Sequence, residues 1–299
     1  VTRSHRGPRR GNGLVLAVVL VLVCGCGVIE PGSAGAPAGD SGVTVVENVD
    51  FGAAGGLSLD VCAPVEGSTA SPAIISVHGG GWSQGDKGER PWRQSCEWLA
   101  SEGFVVFQTN YRLVPDHPFP AALDDITAAV DWIRDGRQVD RFGHDPERLG
   151  AFGDSAGGNL VALLGTREDG DSPAARRIGA VVVLSAPLDL TREGTTLGDL
   201  GEDFQRVQLD YLGCHSYEDC PTARSASPAH HIDAGDPPFF IAHSSDEFIP
   251  VEQAESFVAG LKRAGVDVTY APVDGAAHGL ALLDDALRER IADWLHDTL

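Results

Sequence analysis

The stretch that most constrains this chain is Gly153-Asp154-Ser155-Ala156-Gly157, a G-x-S-x-G pattern followed by Gly158-Asn159. Just upstream, Arg148-Leu149-Gly150-Ala151-Phe152 reads as a short buried strand. Just downstream, residues 158–166 are small and apolar, as a buried helix would be. A strand that turns sharply into a helix around a serine is the context a nucleophile elbow requires. Glycines flank the serine because side chains in so tight a turn would clash. Short glycine–serine patterns also arise by chance, so the weight of this one depends on what the rest of the chain places around it.

The surrounding pattern supports it. Residues 43–50 and 57–62 read as strands separated by a glycine turn, an antiparallel lead-in hairpin. The short continuous apolar run at 73–77 carries the signature of a strand buried on both faces, 104–109 and 149–152 read as further buried strands, and 180–185, 239–243 and 268–273 read as strands. Helical spacing recurs at 92–101, 120–135, 155–165, 251–264 and 285–296. Strands alternating with helices predict an α/β fold with a doubly wound, mostly parallel sheet. Residues 189–236 break the pattern. They are irregular and polar, with one helix expected near 204–211, and read as a small inserted lid-like segment. With no internal linker visible, residues 43–299 are expected to form one domain.

Two further motifs carry chemistry. His78-Gly79-Gly80-Gly81-Trp82 directly follows the strand ending at Val77. Consecutive glycines let backbone amides approach a ligand closely, as a developing oxyanion requires. Gly80 and Gly81 are the expected donors, with the Ala156 amide completing the hole. A serine nucleophile also needs a base, and the base an orienting acid, in the chain order Ser, Asp or Glu, His. His278 lies in a small-residue loop after the last strand. Asp246 follows the strand at 239–243. Both positions are carboxyl ends of strands, where ligands bind on such sheets. Glu247 competes with Asp246 for the acid, and Asp189 is a distant third. His243 and the pair His230-His231 are expected to be structural or surface residues, and Asp154 to pack or hydrogen-bond. Trp82 either lines the substrate pocket or plugs the core beneath the glycine loop.

The first residues tell a separate story. Arg3, Arg6, Arg9 and Arg10 precede an apolar run of ten residues, Leu14 to Val23, and then Cys24-Gly25-Cys26. This is the pattern of an export signal, and the run is too short for an ordinary membrane span. Val23-Cys24-Gly25-Cys26 resembles a bacterial lipobox with Cys26 as the lipidated residue. A Gly/Pro/Ala/Ser-rich tether follows to residue 42. The expected organisation is therefore a signal peptide at 1–26, a tether at 27–42 and the catalytic domain at 43–299. A plain secretory signal and an uncleaved anchor are the alternatives. The chain contains no Met, and Val1 is consistent with an alternative start codon. In an exported protein disulfides are permitted. Cys214 and Cys220 are expected to close a local loop, leaving Cys62 with Cys96. A metal at Cys214-His215-Cys220 is not expected, since no second ligand pair has zinc-site spacing. A net charge of −21 disfavours nucleic acid and anionic membrane surfaces as partners. Contact with a membrane is expected only through the lipid anchor, and the oligomeric state is open.

Together, His78-Gly79-Gly80-Gly81-Trp82, Asn110-Tyr111-Arg112-Leu113-Val114-Pro115, Phe119-Pro120-Ala121-Ala122-Leu123-Asp124-Asp125 and the elbow resemble the hormone-sensitive-lipase-like branch of the α/β-hydrolases. The stretch Asp246 to Val251 is closer to the bifunctional feruloyl/acetylxylan esterase-like group. The resemblance covers roughly residues 45–299. It implies an esterase with Ser155 as nucleophile, Asp246 and His278 as its partners, and no cofactor. No long helical cap precedes the first expected strand, so short-acyl esters of small molecules or glycans are the expected substrates. An amidase or formamidase on the same scaffold, or a non-catalytic binding protein, are the alternatives.

Overall fold

In the computed structural model, residues 42–53, 55–65, 70–167 and 178–299 are described. The expected signal, tether and Cys26 lie outside them. Eight strands build one sheet among the described residues: β1 (Val43–Asp50), β2 (Ser58–Pro64), β3 (Ser71–Val77), β4 (Val105–Thr109), β5 (His144–Asp154), β6 (Ala180–Leu184), β7 (Phe239–Ser244) and β8 (Val268–Val273). Their order is β1-β2-β4-β3-β5-β6-β7-β8. β2 runs antiparallel to both β1 and β4, and β3 to β8 are parallel throughout. The expected hairpin and doubly wound sheet are therefore present.

Among the described residues there are eight α-helices: α1 (Arg90–Ser101), α2 (Ala121–Ile133), α3 (Gly136–Phe142), α4 (Ser155–Thr166), α5 (Glu202–Leu212), α6 (Thr222–Ser225), α7 (Val251–Ala264) and α8 (Asp285–Thr298). Successive strand residues point to opposite faces, so each central strand feeds two cores. Ile75, Val77 and Ile241 join one core with residues of α2, α4 and α7. Ile74, Phe240 and Ala242 join the other with residues of α1 and α8. This explains why the central strands read as unbroken apolar runs.

The sequence pattern missed α3 and the start of β5. No residue of α3 is buried, so no apolar period announces it. Its signals are an Asp135 cap on the Arg137 amide and a left-handed Gly143 at its end. β5 begins early because His144 and Asp145 pair with Ser71 and Pro72 before a register shift.

Both disulfides are formed. Cys62–Cys96 ties β2 to α1, with Cα atoms 5.9 Å apart, and Cys214–Cys220 closes the loop after α5, at 5.5 Å. The segment between β6 and β7 is more ordered than expected. It holds α5, the short α6 and single 3-10 turns at Gly194–Thr196, Tyr217–Asp219 and Pro228–His230. Asp40–Leu299 form one compact unit.

Candidate active site

Four chain segments meet at the carboxyl ends of the parallel strands. They are the glycine loop after β3, the elbow between β5 and α4, the loop after β7 and the loop after β8. Ser155 is the first residue of α4 and has a φ of 49°, a conformation that costs a non-glycine residue energy and persists only where the surroundings impose it. The neighbouring glycines are sterically required. A Cβ on Gly153 would lie 2.5 Å from the Gly157 carbonyl oxygen, and one on Gly157 would run into the Val77 carbonyl. The serine is thus held at the tip of the turn, and the amides of the first turn of α4, including Ala156, have no partner within the helix.

The glycine loop lies against the serine: a Cβ on Gly79 would be 3.1 Å from the Ser155 Cβ. Its conformation is propped from behind. The His78 Nδ1–H donates to the Gly79 carbonyl at 2.7 Å, and its ring stacks on Tyr111, 4.4 Å between centroids. The Tyr111 hydroxyl donates to the His78 carbonyl at 3.0 Å. Burial pushes the His78 pKa down, which keeps the ring neutral and suited to this role. Arg112, next in the chain, donates to the buried Asp125 carboxylate at 2.8 and 2.9 Å. The Asn110 carboxamide holds both Asp86 and the Lys87 amide, each at 2.7 Å. Gly80 and Gly81 have φ of 110° and 59°, and among the described residues no backbone carbonyl accepts from their amides. These N–H groups remain free to face an oxyanion.

The acid is where the structure departs from expectation. His278 pairs through Nδ1 with the Glu247 carboxylate, not with Asp246. The Glu247 side chain is 0% exposed, and its second oxygen lies 3.2 Å from His243 Nε2. Asp246 is exposed, its carboxylate taking a 3.0 Å bond from the Ser245 hydroxyl. The reason is local. The Asp246 amide donates to the Gly275 carbonyl at 2.9 Å, which fixes the loop with Asp246 outward and the next residue inward. Position after a strand signals that a carboxylate lies near the site; it does not say which of two neighbours faces in. His243 takes the structural role of its two sequence alternatives. It is fully buried, donates to the Ile249 carbonyl at 2.8 Å and has its pKa lowered by burial.

Asp154 binds these parts together. Its carboxyl is buried, with the backbone amides of Leu280 and Gly79 directed at it, and burial raises its pKa to about 8. The His278 loop packs on it directly, since a Cβ on Gly279 would collide with Oδ2. One side chain therefore touches the elbow, the oxyanion loop and the histidine loop. Trp82 takes the core role of its two sequence alternatives. The indole is 0% exposed and stacks on Tyr211 of α5 at 4.1 Å. It anchors the glycine loop and does not line an open pocket. Asp189, the third acid considered, lies 3.4 Å from His230 and accepts from the Thr191 hydroxyl at 2.6 Å.

A carboxylate on Nδ1 leaves Nε2 as the basic nitrogen, so the arrangement can take a proton from a serine hydroxyl and return it to a leaving group. The comparisons with known proteins agree with this chemistry. The BD-FAE family model matches residues 59–261. Esterase LipC of Mycobacterium tuberculosis is 33% identical over 226 residues, covering 72% of this chain and 55% of LipC. The chain spans about half the length of the curated relatives it matches over most of its own length. Among solved structures, an acetyl ester-xyloside bifunctional hydrolase from Caldicellulosiruptor lactoaceticus is 27% identical, with a TM-score of 0.67 over 83% of this chain and 90% of that one. Thermogutta terrifontis esterase 2, phosphonylated by sarin, is 26% identical with a TM-score of 0.68 over 84% of this chain and 92% of that one.

Proposed function

Because the chain belongs to the BD-FAE family, the bifunctional feruloyl/acetylxylan esterase-like group of α/β-hydrolases, we propose that it is a serine carboxylic-ester hydrolase working through Ser155, His278 and Glu247. His278 Nε2 takes the Ser155 proton as the oxygen attacks the ester carbonyl. The amides of Gly80, Gly81 and Ala156 receive the oxyanion. The protonated His278, steadied by Glu247, hands the proton to the departing alcohol. Water activated by the same histidine then releases the acid and frees the serine. The observation that carries this proposal is the buried Glu247 carboxylate on His278, in a loop packed against the serine elbow.

The preferred substrates are short-acyl esters of small-molecule or glycan alcohols. The acetyl-ester activity named for the C. lactoaceticus relative supports this. The protein acts outside the cytoplasm, tethered through a lipid on Cys26, as its lipobox-like motif supports.

A serine-directed phosphonate tests the mechanism. The protein should label at Ser155 and hydrolyse 4-nitrophenyl acetate, and Ser155→Ala should do neither. Equal labelling of the variant would refute it. An acyl series of nitrophenyl esters tests the substrate range, and best turnover on long chains would overturn the short-acyl assignment. A mature protein that begins after Cys26 without lipid would dismiss the anchor.

A further inference from the structure

An open groove of roughly 570 Å³ lies beside the site, lined by Gly201, Glu202, Asp203, Phe204, Val207 and Phe248. It joins the first half of α5 to the loop that carries Glu247. Phe248 is 53% exposed, unusual for so large an apolar side chain on a surface otherwise rich in acidic groups. Its ring packs on His278 at 4.4 Å and meets Phe204 edge-on at 5.3 Å. On the other side Val207 reaches the oxyanion loop, its Cγ1 3.0 Å from where a Cβ on Gly81 would be. The groove thus touches both the histidine and the oxyanion loop through side chains already in place.

Resting on the esterase proposal above, we infer that this groove is the leaving-group subsite and that it accepts the uncharged, flat apolar alcohol part of an ester, an aryl group above all. The direction follows from the chemistry. The histidine that takes the serine proton gives it to the alcohol oxygen, so the alcohol departs on the histidine side. Phe248 packs against that imidazole, with the ring centroids 4.4 Å apart. Two aromatic side chains at edge-to-face spacing present both a face and an edge to a third ring. The charge at the groove is one-sided. Asp203 is paired with Arg206, which leaves Glu202 as the unbalanced charge among the lining residues and sets the groove against anionic alcohols.

The test compares phenyl acetate with methyl acetate, which share one acetyl-enzyme and differ only in the leaving group. Phe204→Ala should lower the phenyl-to-methyl ratio of kcat/KM about tenfold, the scale of one lost aromatic contact. Phe204→Leu, which keeps an apolar side chain without the ring, should lower it less. The ratio of 4-nitrophenyl acetate to 4-nitrophenyl butyrate should not move. A carboxylate-bearing aryl acetate should be a poorer substrate than phenyl acetate, and Glu202→Gln should narrow the gap, most at low salt. If both variants leave the phenyl-to-methyl ratio unchanged while phosphonate still labels Ser155, the groove assignment fails and the esterase stands. If the acetate-to-butyrate ratio shifts instead, the groove holds the acyl chain and the assignment is overturned. Absence of labelling in the wild type would refute both.

Discussion

Glu247→Gln is the substitution that separates this site from the one expected on strand position. The amide keeps the volume of a side chain that is 0% exposed, so the packing survives while the charge is lost. In the reaction that charge faces an imidazolium. Two unit charges about 4 Å apart at an effective dielectric near 20 attract by ~4 kcal/mol, which is about a thousandfold in rate. The amide can also turn its NH2 toward Nδ1 and hold the wrong tautomer, and removing such an orienting acid elsewhere costs about 10⁴-fold. The expected loss in kcat for Glu247→Gln is therefore about 10³- to 10⁴-fold on 4-nitrophenyl acetate. KM should change little, because the carboxylate does not touch substrate. Asp246→Asn should stay within about twofold, as for an exposed surface change. Thermal melts of both variants would confirm that they fold. The reasoning is refuted if Asp246→Asn loses the activity and Glu247→Gln keeps it.

Four further outcomes are expected. His243→Leu removes the buried group 3.2 Å from the second Glu247 oxygen and should lower kcat about tenfold with little change in KM, the scale of one lost positioning contact; an unchanged kcat would show that Glu247 is held without it. Buried His78, His144 and His243 have lowered pKa values in the folded state, so the unfolded chain binds more protons below about pH 6.5 and stability should fall with acid there. Asp154 has the opposite sign: raised from 3.8 to about 8, it contributes stability that is complete below its unfolded value and is lost as pH climbs through about 8. Unfolding measured across that range should give a flatter alkaline limb for Asp154→Asn than for the wild type, and parallel limbs would argue against a protonated Asp154. Finally, replacing Cys62 and Cys96 by Ala opens the longer loop, 34 residues apart against six for Cys214 and Cys220. Loop entropy puts the two losses at about 4 and about 2 kcal/mol, so the first pair should cost the larger fall in Tm.

The fold and half of the site were legible in the chain because they depend on local constraints. Ser155 is marked by the turn it occupies: Gly153 and Gly157 are forced by backbone carbonyls a few residues or one strand away. The glycine loop is marked by its own backbone, and the strands by being buried on both faces. The two disulfides followed from the even number of cysteines within residues 43–299 and from the short separation of one pair.

What depends on facing was not legible. Asp246 and Glu247 are adjacent acids in one loop, and only the bond from the Asp246 amide to Gly275, thirty-odd residues away in another loop, turns one outward and the other in. Trp82 has a side chain suited to a pocket or to a core, and Tyr211 of the inserted segment decides for the core. Phe204 and Phe248 are ordinary aromatics in two unrelated stretches until α5 brings Phe204 against Phe248, which itself packs on His278. Sequence by itself determined which groups have the right chemistry and which backbone turns they need, since both are properties of a few neighbouring residues. Tertiary structure alone decided which carboxylate is desolvated beside the histidine and what surface the substrate meets, because burial and contact between distant segments exist only once the sheet has brought them to one end.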